Sequence, residues 1–133
     1  MDWDALVRHP EARQLGASLY ASYCTTCHGS DARGAKGFPN LADDNWQWGS
    51  SEQQMIATIT NGRVAVMPVL TPALGGDEGI RNMVTYVRSL SGLVEADAAA
   101  QAMQPMFTAL CSACHMPDGS GNPALGAPNL TDD

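Results

Sequence analysis

The chain lacks most of what would mark a nucleic-acid binder, a membrane span or a hydrolase. Positive charge is scarce: seven Lys and Arg stand against 14 Asp and Glu, for a formal net charge of −7. Such a surface repels phosphate backbones, which argues against nucleic acid and points to a basic partner surface. No apolar run approaches the roughly 18–20 residues needed to cross a bilayer. Met1-Asp2-Trp3-Asp4 has neither the basic start nor the apolar stretch of an export signal. No set of side chains suggests convergent acid/base chemistry. No cysteine is spare, because all four lie in two five-residue runs.

Those runs are Cys24-Thr25-Thr26-Cys27-His28 and Cys111-Ser112-Ala113-Cys114-His115. Cys-x-x-Cys-His is the attachment pattern of a c-type haem. Two thiols add across the haem vinyl groups as thioethers, and the adjacent histidine becomes the proximal iron ligand. A zinc site is a rival, but the cysteine pairs are too far apart for finger or ribbon spacing. A thioredoxin-like pair needs a βαβ context that the chain does not suggest. Two copies, each after a helical pattern, favour haem c at two sites. A small Gly/Pro-rich unit buries little on its own, and a covalent cofactor would fill its centre. Such haem is attached outside the cytoplasm. Either Met1 is an added start, or an export signal or anchor lies upstream.

Residues 1–10 read as a tail ending at Pro10, with His9 a solvated side chain. From Glu11 to Tyr23, Ala12, Leu15, Leu19 and Tyr23 recur at helical spacing. Gly16 shares that stripe and predicts close approach of another helix. Residues 29–49 read as loop. Ser50-Ser51-Glu52-Gln53 predicts a capping box, Met55, Ile56 and Ile59 a helical face, and Asn61-Gly62 its end. Pro68 keeps Met67 on an extended loop. A helix over 77–91 follows, with Ile80, Met83, Val84, Val87 and Ser91 on one stripe, Tyr86 and Leu90 beside it, and Gly92 as cap. A further helix, over about 96–110 and interrupted at Pro105, leads into the second pentad.

Aligned on the cysteines, residues 37–44 match residues 126–133, two positions later in their unit. This internal repeat predicts an all-α chain with a tail at 1–10, a complete unit at 11–92 and the first half of another at 93–133.

Met67 is the candidate sixth ligand of the first iron, since a thioether is soft and His/Met ligation suits electron transfer. Met55 and Met83 sit on apolar faces and read as core. The second unit offers no counterpart to Met67. Met116 follows His115 directly, and Met103 and Met106 precede the pentad. Arg63 is a candidate propionate contact or a surface residue at a helix end. Trp46 and Trp48 either line the haem edge or are simply half-buried. The Pro39 carbonyl, or a neighbour's, is placed to fix the His28 tautomer.

The stretch from Leu19-Tyr20 through the first pentad to Gly37-Phe38-Pro39-Asn40-Leu41 resembles the dihaem subunit of cbb3-type cytochrome c oxidases, called CcoP or FixP. So do Asn61-Gly62-Arg63 through Met67-Pro68, residues 86–92 and residues 118–132. Val64-Ala65 replaces the family's His-Gly, and Met116 its usual glycine. The resemblance implies tandem class I cytochrome c folds and a membrane anchor upstream, on the periplasmic side of the bacterial inner membrane. It implies electron relay from a donor cytochrome or the bc1 complex to the other oxidase subunits, without catalysis by this chain alone.

Two further readings stand beside this one: a soluble c4-type dihaem cytochrome, and a gas-binding or redox-sensing haem protein. The half-unit is expected to bare an apolar helix face. Residues 95–133 should then be mobile or packed against another chain, exchange of elements between protomers being one route to such a dimer. The second iron's sixth ligand would be water, a buffer component, or His9, Met103, Met106 or Met116 of a neighbour.

Overall fold

Polar caps and glycine stops cut the chain into short helices, described over residues 2–132 in a computed structural model. The expected tail is largely helical. The Asp2 carboxylate accepts the Ala5 N–H at 2.7 Å and caps α1, Trp3–Arg8. Asp4 in its first turn and Arg8 in its last suit the helix dipole. Pro10 then opens α2, Pro10–Tyr23, at a position where its missing N–H costs nothing. Next come α3, Thr25–His28, and α4, Glu52–Asn61. The capping box of α4 pairs Ser51 with Gln54, one residue later than expected, and Gly62 ends the helix at φ 67°.

A 3₁₀ turn at Thr71–Leu74 precedes α5, Gly76–Leu90. Asp97 caps α6, Ala98–Gln101. The helix restarts as α7, Gln104–Leu110, because Pro105 fits a first turn and not an interior. The last helix is α8, Ser112–His115. The described residues are all-α, with only the isolated bridges Ala35–Phe38 and Asn122–Ala127.

The chain divides into two compact units, Met1–Trp46 and Gln47–Asp133. This boundary differs from the repeat boundary between residues 92 and 93. In the first unit the α2 stripe is exposed, with Leu15 at 61%, Leu19 at 49% and Tyr23 at 80%. A Cβ added to Gly16 would meet nothing within 4 Å among the described residues, so no helix approaches there.

The second unit holds the core. Met83 of α5, Met103 at the α7 cap and Phe107 of α7 are buried, flanked by Leu74, Tyr86, Val87 and Leu90. The Tyr86 and Phe107 rings are 5.5 Å apart at 59°, a tilted pair. The helix face expected to be bare is thus covered by α5 of the same chain. Two physical reasons favour this. Residues 91–97 form a short connection, so closing the contact loses little chain entropy. In addition, Phe107 and Met103 align on the cysteines with Tyr20 and Gly16, and they carry more apolar area.

Phe107 is 1% exposed. Phe107→Ala should therefore cost about 3–5 kcal/mol in denaturant unfolding of the second unit. A loss under about 1 kcal/mol would place the core elsewhere.

Candidate functional site

Each pentad is one helical turn set at a break. The α2 ladder ends with the Cys24 N–H on Tyr20 O at 2.9 Å, and Cys24 stays in the right-handed helical region with a stretched φ of −109°, ψ −30°. Cys111 does the same after α7 at φ −110°, ψ −34°. Within each turn the histidine N–H bonds the first cysteine's carbonyl, at 2.9 Å in both copies. Two cysteines three residues apart on such a turn share a face.

The histidines are held by the loops that follow. His28 Nδ1 lies 3.0 Å from Pro39 O, and His115 Nδ1 lies 3.0 Å from Pro128 O. A carbonyl only accepts, so Nδ1 carries the proton and donates, which leaves the Nε2 lone pair available. This is how metal-bound imidazoles are oriented.

The loops share a backbone plan. Gly34 N–H donates to His28 O at 2.9 Å, and Gly121 N–H to His115 O at 3.0 Å. Leu41 N–H reaches Ala32 O and Leu130 N–H reaches Gly119 O, both at 2.7 Å. Asn40 and Asn129 each accept the N–H two residues on. The two extra residues of the second copy fall in the turn closed by Asn122 and Ala127. A Cβ at Gly121 would sit 2.7 Å from Ala127 O and Asn129 N, so only glycine allows this closure.

The copies differ in their bracing. His28 is half-buried, with the Phe38 ring edge-on at 6.0 Å. The Tyr20 hydroxyl donates to Gly29 O at 2.7 Å and pins the residue after His28. That role for Tyr20 was missed from the sequence, although its fixed spacing from Cys24 is a usable signal. His115 is buried, at 8% exposed.

The remaining candidates fall in different units. His28 belongs to the first compact unit, and Met67, 71% exposed, to the second. Met67 edges an apolar cleft of about 290 Å³ with Met83, Val84, Val87 and Arg88. Arg63 donates through Nε to Thr58 Oγ1 at 2.9 Å and through Nη2 to Gln54 O at 3.0 Å. Its guanidinium lies 5.1 Å from the Trp48 ring centre. Trp46 donates its indole N–H to Asp43 O at 2.9 Å, so that proton is already engaged.

The thiols are free, and burial pushes the Cys111 thiol up from its ordinary range. That opposes a reactive thiolate, which needs a lowered pKa. Among the described residues no three His, Cys, Asp or Glu side chains converge as metal ligands. Two thiols and an oriented imidazole at each pentad fit a covalently attached haem.

The chain is similar to subunits of cbb3-type cytochrome c oxidases. The family described as cytochrome c oxidase, cbb3-type, subunit III matches residues 11–87. The cbb3-type cytochrome c oxidase subunit CcoP of Rubrivivax gelatinosus is 47% identical over 129 residues, 97% of this chain and 42% of its own length. Subunit FixP of Bradyrhizobium sp. (strain ORS 278) is 43% identical over 91% of this chain and 45% of its own. Subunit CcoP of Cereibacter sphaeroides is 37% identical over 91% and 45%. The chain spans about half the length of these curated relatives.

Gly29 follows the first pentad at φ 79°, ψ 159°, and Met116 holds the same place in the second at φ 65°, ψ 157°. Only glycine adopts that region freely, and other residues are strained there by about 1–3 kcal/mol. Met116→Gly should therefore stabilise the second unit by about that amount in denaturant melts. An unchanged or lower stability would show that position 116 is unstrained.

Proposed function

The chain belongs to the CcoP/FixP family, subunit III of the cbb3-type cytochrome c oxidases, and we propose that it is the electron-transferring part of such a subunit. Its helical architecture is that of a class I cytochrome c fold. The observation that carries the proposal is the twin arrangement of Cys-x-x-Cys-His with Nδ1 held by a proline carbonyl.

Cys24 and Cys27 would hold one haem c with His28 as an iron ligand, and Cys111 and Cys114 would hold a second with His115. Bound haem c supplies reversible one-electron exchange at its iron. The Pro39 and Pro128 carbonyls raise the basicity of the imidazoles they hold. Met67 offers its thioether as the sixth ligand of the first site, from a loop between α4 and α5. Arg63 retains Nη1, unpartnered among the described residues, for a propionate, and Trp46 lies in the loop after Pro39 as an edge residue.

In this reading the chain is not catalytic on its own. It relays electrons from a donor cytochrome or bc1 complex toward the oxygen-reducing subunit, on the periplasmic side of the inner membrane. Its charge of −7 suits a basic donor surface. Among the described residues no helix is long and apolar enough to cross a membrane.

Expression with haem-attachment machinery should yield two haems per chain by pyridine haemochrome and intact mass. A Cys24→Ala, Cys27→Ala chain should keep one. No covalent haem on the wild type would overturn the reading. Met67→Ala should remove the weak red absorption band of Fe(III)–thioether ligation and lower the first potential. Persistence of that band would assign the ligand elsewhere.

A further inference from the structure

The loop that presents Pro128 to His115 is gripped by two residues far away in sequence. Gln47 Nε2 donates to Gly126 O at 2.6 Å, across 79 positions. The Trp48 indole packs on Gly126, which is buried at φ +66°, and a Cβ there would overlap the ring. Between Gly126 and Pro128 there is little slack. Ala127 is buried and exchanges two backbone hydrogen bonds with Asn122, at 2.9 and 3.1 Å. Trp48 is itself fixed by the Arg63 guanidinium 5.1 Å from its ring centre, and Arg63 is tied to α4 through Gln54 and Thr58.

The first copy has no such grip. Gly37 aligns with Gly126, and a Cβ there would meet nothing within 4 Å among the described residues. There the Phe38 ring braces His28 directly. The second copy has Ala127 in place of Phe38 and cannot brace its histidine in that way.

We propose that Gln47 and Trp48 are positioning residues for the second haem site, holding Gly126 to Pro128 so that the Pro128 carbonyl stays on His115 Nδ1. The proposal rests on His115 being the proximal ligand.

The test uses the dihaem chain with Trp48→Ala, Trp48→Phe and Gln47→Leu. Trp48→Ala should raise the midpoint potential of the second haem, because a weaker bond at Nδ1 makes the imidazole less basic and stabilises Fe(III) less. The first haem's potential should stay unchanged. Trp48→Phe, which keeps a ring on Gly126, should restore most of the shift. Gln47→Leu, the milder change, should shift the second potential in the same direction. It should also speed exchange of the Gly121, Asn122 and Leu130 amides by roughly two- to tenfold, the factor carried by one lost hydrogen bond. Two haems in the wild type with no change in either readout would overturn the clamp alone. Equal shifts at both haems would also overturn it, since the effect would then be global. A wild type without haem on Cys111 and Cys114 would instead remove the second site from the proposed function, and the clamp's role with it.

Discussion

In both copies of the repeat the imidazole Nδ1 proton points at a proline carbonyl 3.0 Å away. That bond decides which nitrogen is left to meet a metal, and the rest of each unit serves to hold its two ends still. One end is the helical turn that begins at a cysteine, closed by the histidine N–H on that cysteine's carbonyl. The other is a loop with too little room for a side chain at Gly121. Proline suits the accepting position because it lacks an N–H, so its peptide makes no competing donation, while its fixed φ limits how far the carbonyl can swing. A ring held this way cannot exchange tautomers without breaking the loop, and ligation then needs little reorganisation.

Much of this was legible because it is local. The pentads, the helix stop at Gly62, the restart at Pro105, the extended loop at Met67 and the carbonyl of Pro39 all follow from neighbours in sequence. The capping box was misplaced by one residue because Ser50 and Ser51 both satisfy the pattern, and only the backbone turn selects Ser51. The tail at residues 1–10 hid a helix because six residues show too little periodicity, although Asp2 is a good cap. The Gln47–Gly126 bond leaves no sequence trace at all, since nothing periodic links positions 79 apart. Trp48 stood open between a haem-edge residue and a half-buried one, because an aromatic near a cofactor motif does not reveal which neighbour its face meets.

The packing of α5 shows why stripes alone do not fix a fold. Two helices precede pentads, and both carry apolar residues at helical spacing. In α2 the position four before Cys24 is Tyr20, whose hydroxyl is committed to Gly29 O and whose ring is oriented by that bond. In α7 the matching residue is Phe107, with no polar atom to satisfy, and it sinks into the core against Tyr86. The apolar pattern is equivalent, but the single oxygen is not. A buried hydroxyl must keep a partner, and a phenyl ring needs none.

The second copy therefore differs from the first in one consistent direction. Tyr20, Gly29 and Phe38 are all devices internal to the first site: a pin, an unstrained link and an aromatic brace. Their counterparts Phe107, Met116 and Ala127 surrender each device. What replaces them comes from elsewhere in the chain, as α5 covers Phe107 and the Gln47–Trp48 pair grips Gly126. The bonding geometry at His115 is the same as at His28, yet its support is long-range where the other's is local. Local braces persist when distant parts of a chain loosen, and long-range braces do not. The two sites should accordingly respond differently to the same global stress: the His115 loop loses its frame when α5 and α4 shift, while the His28 loop keeps one within residues 20–41.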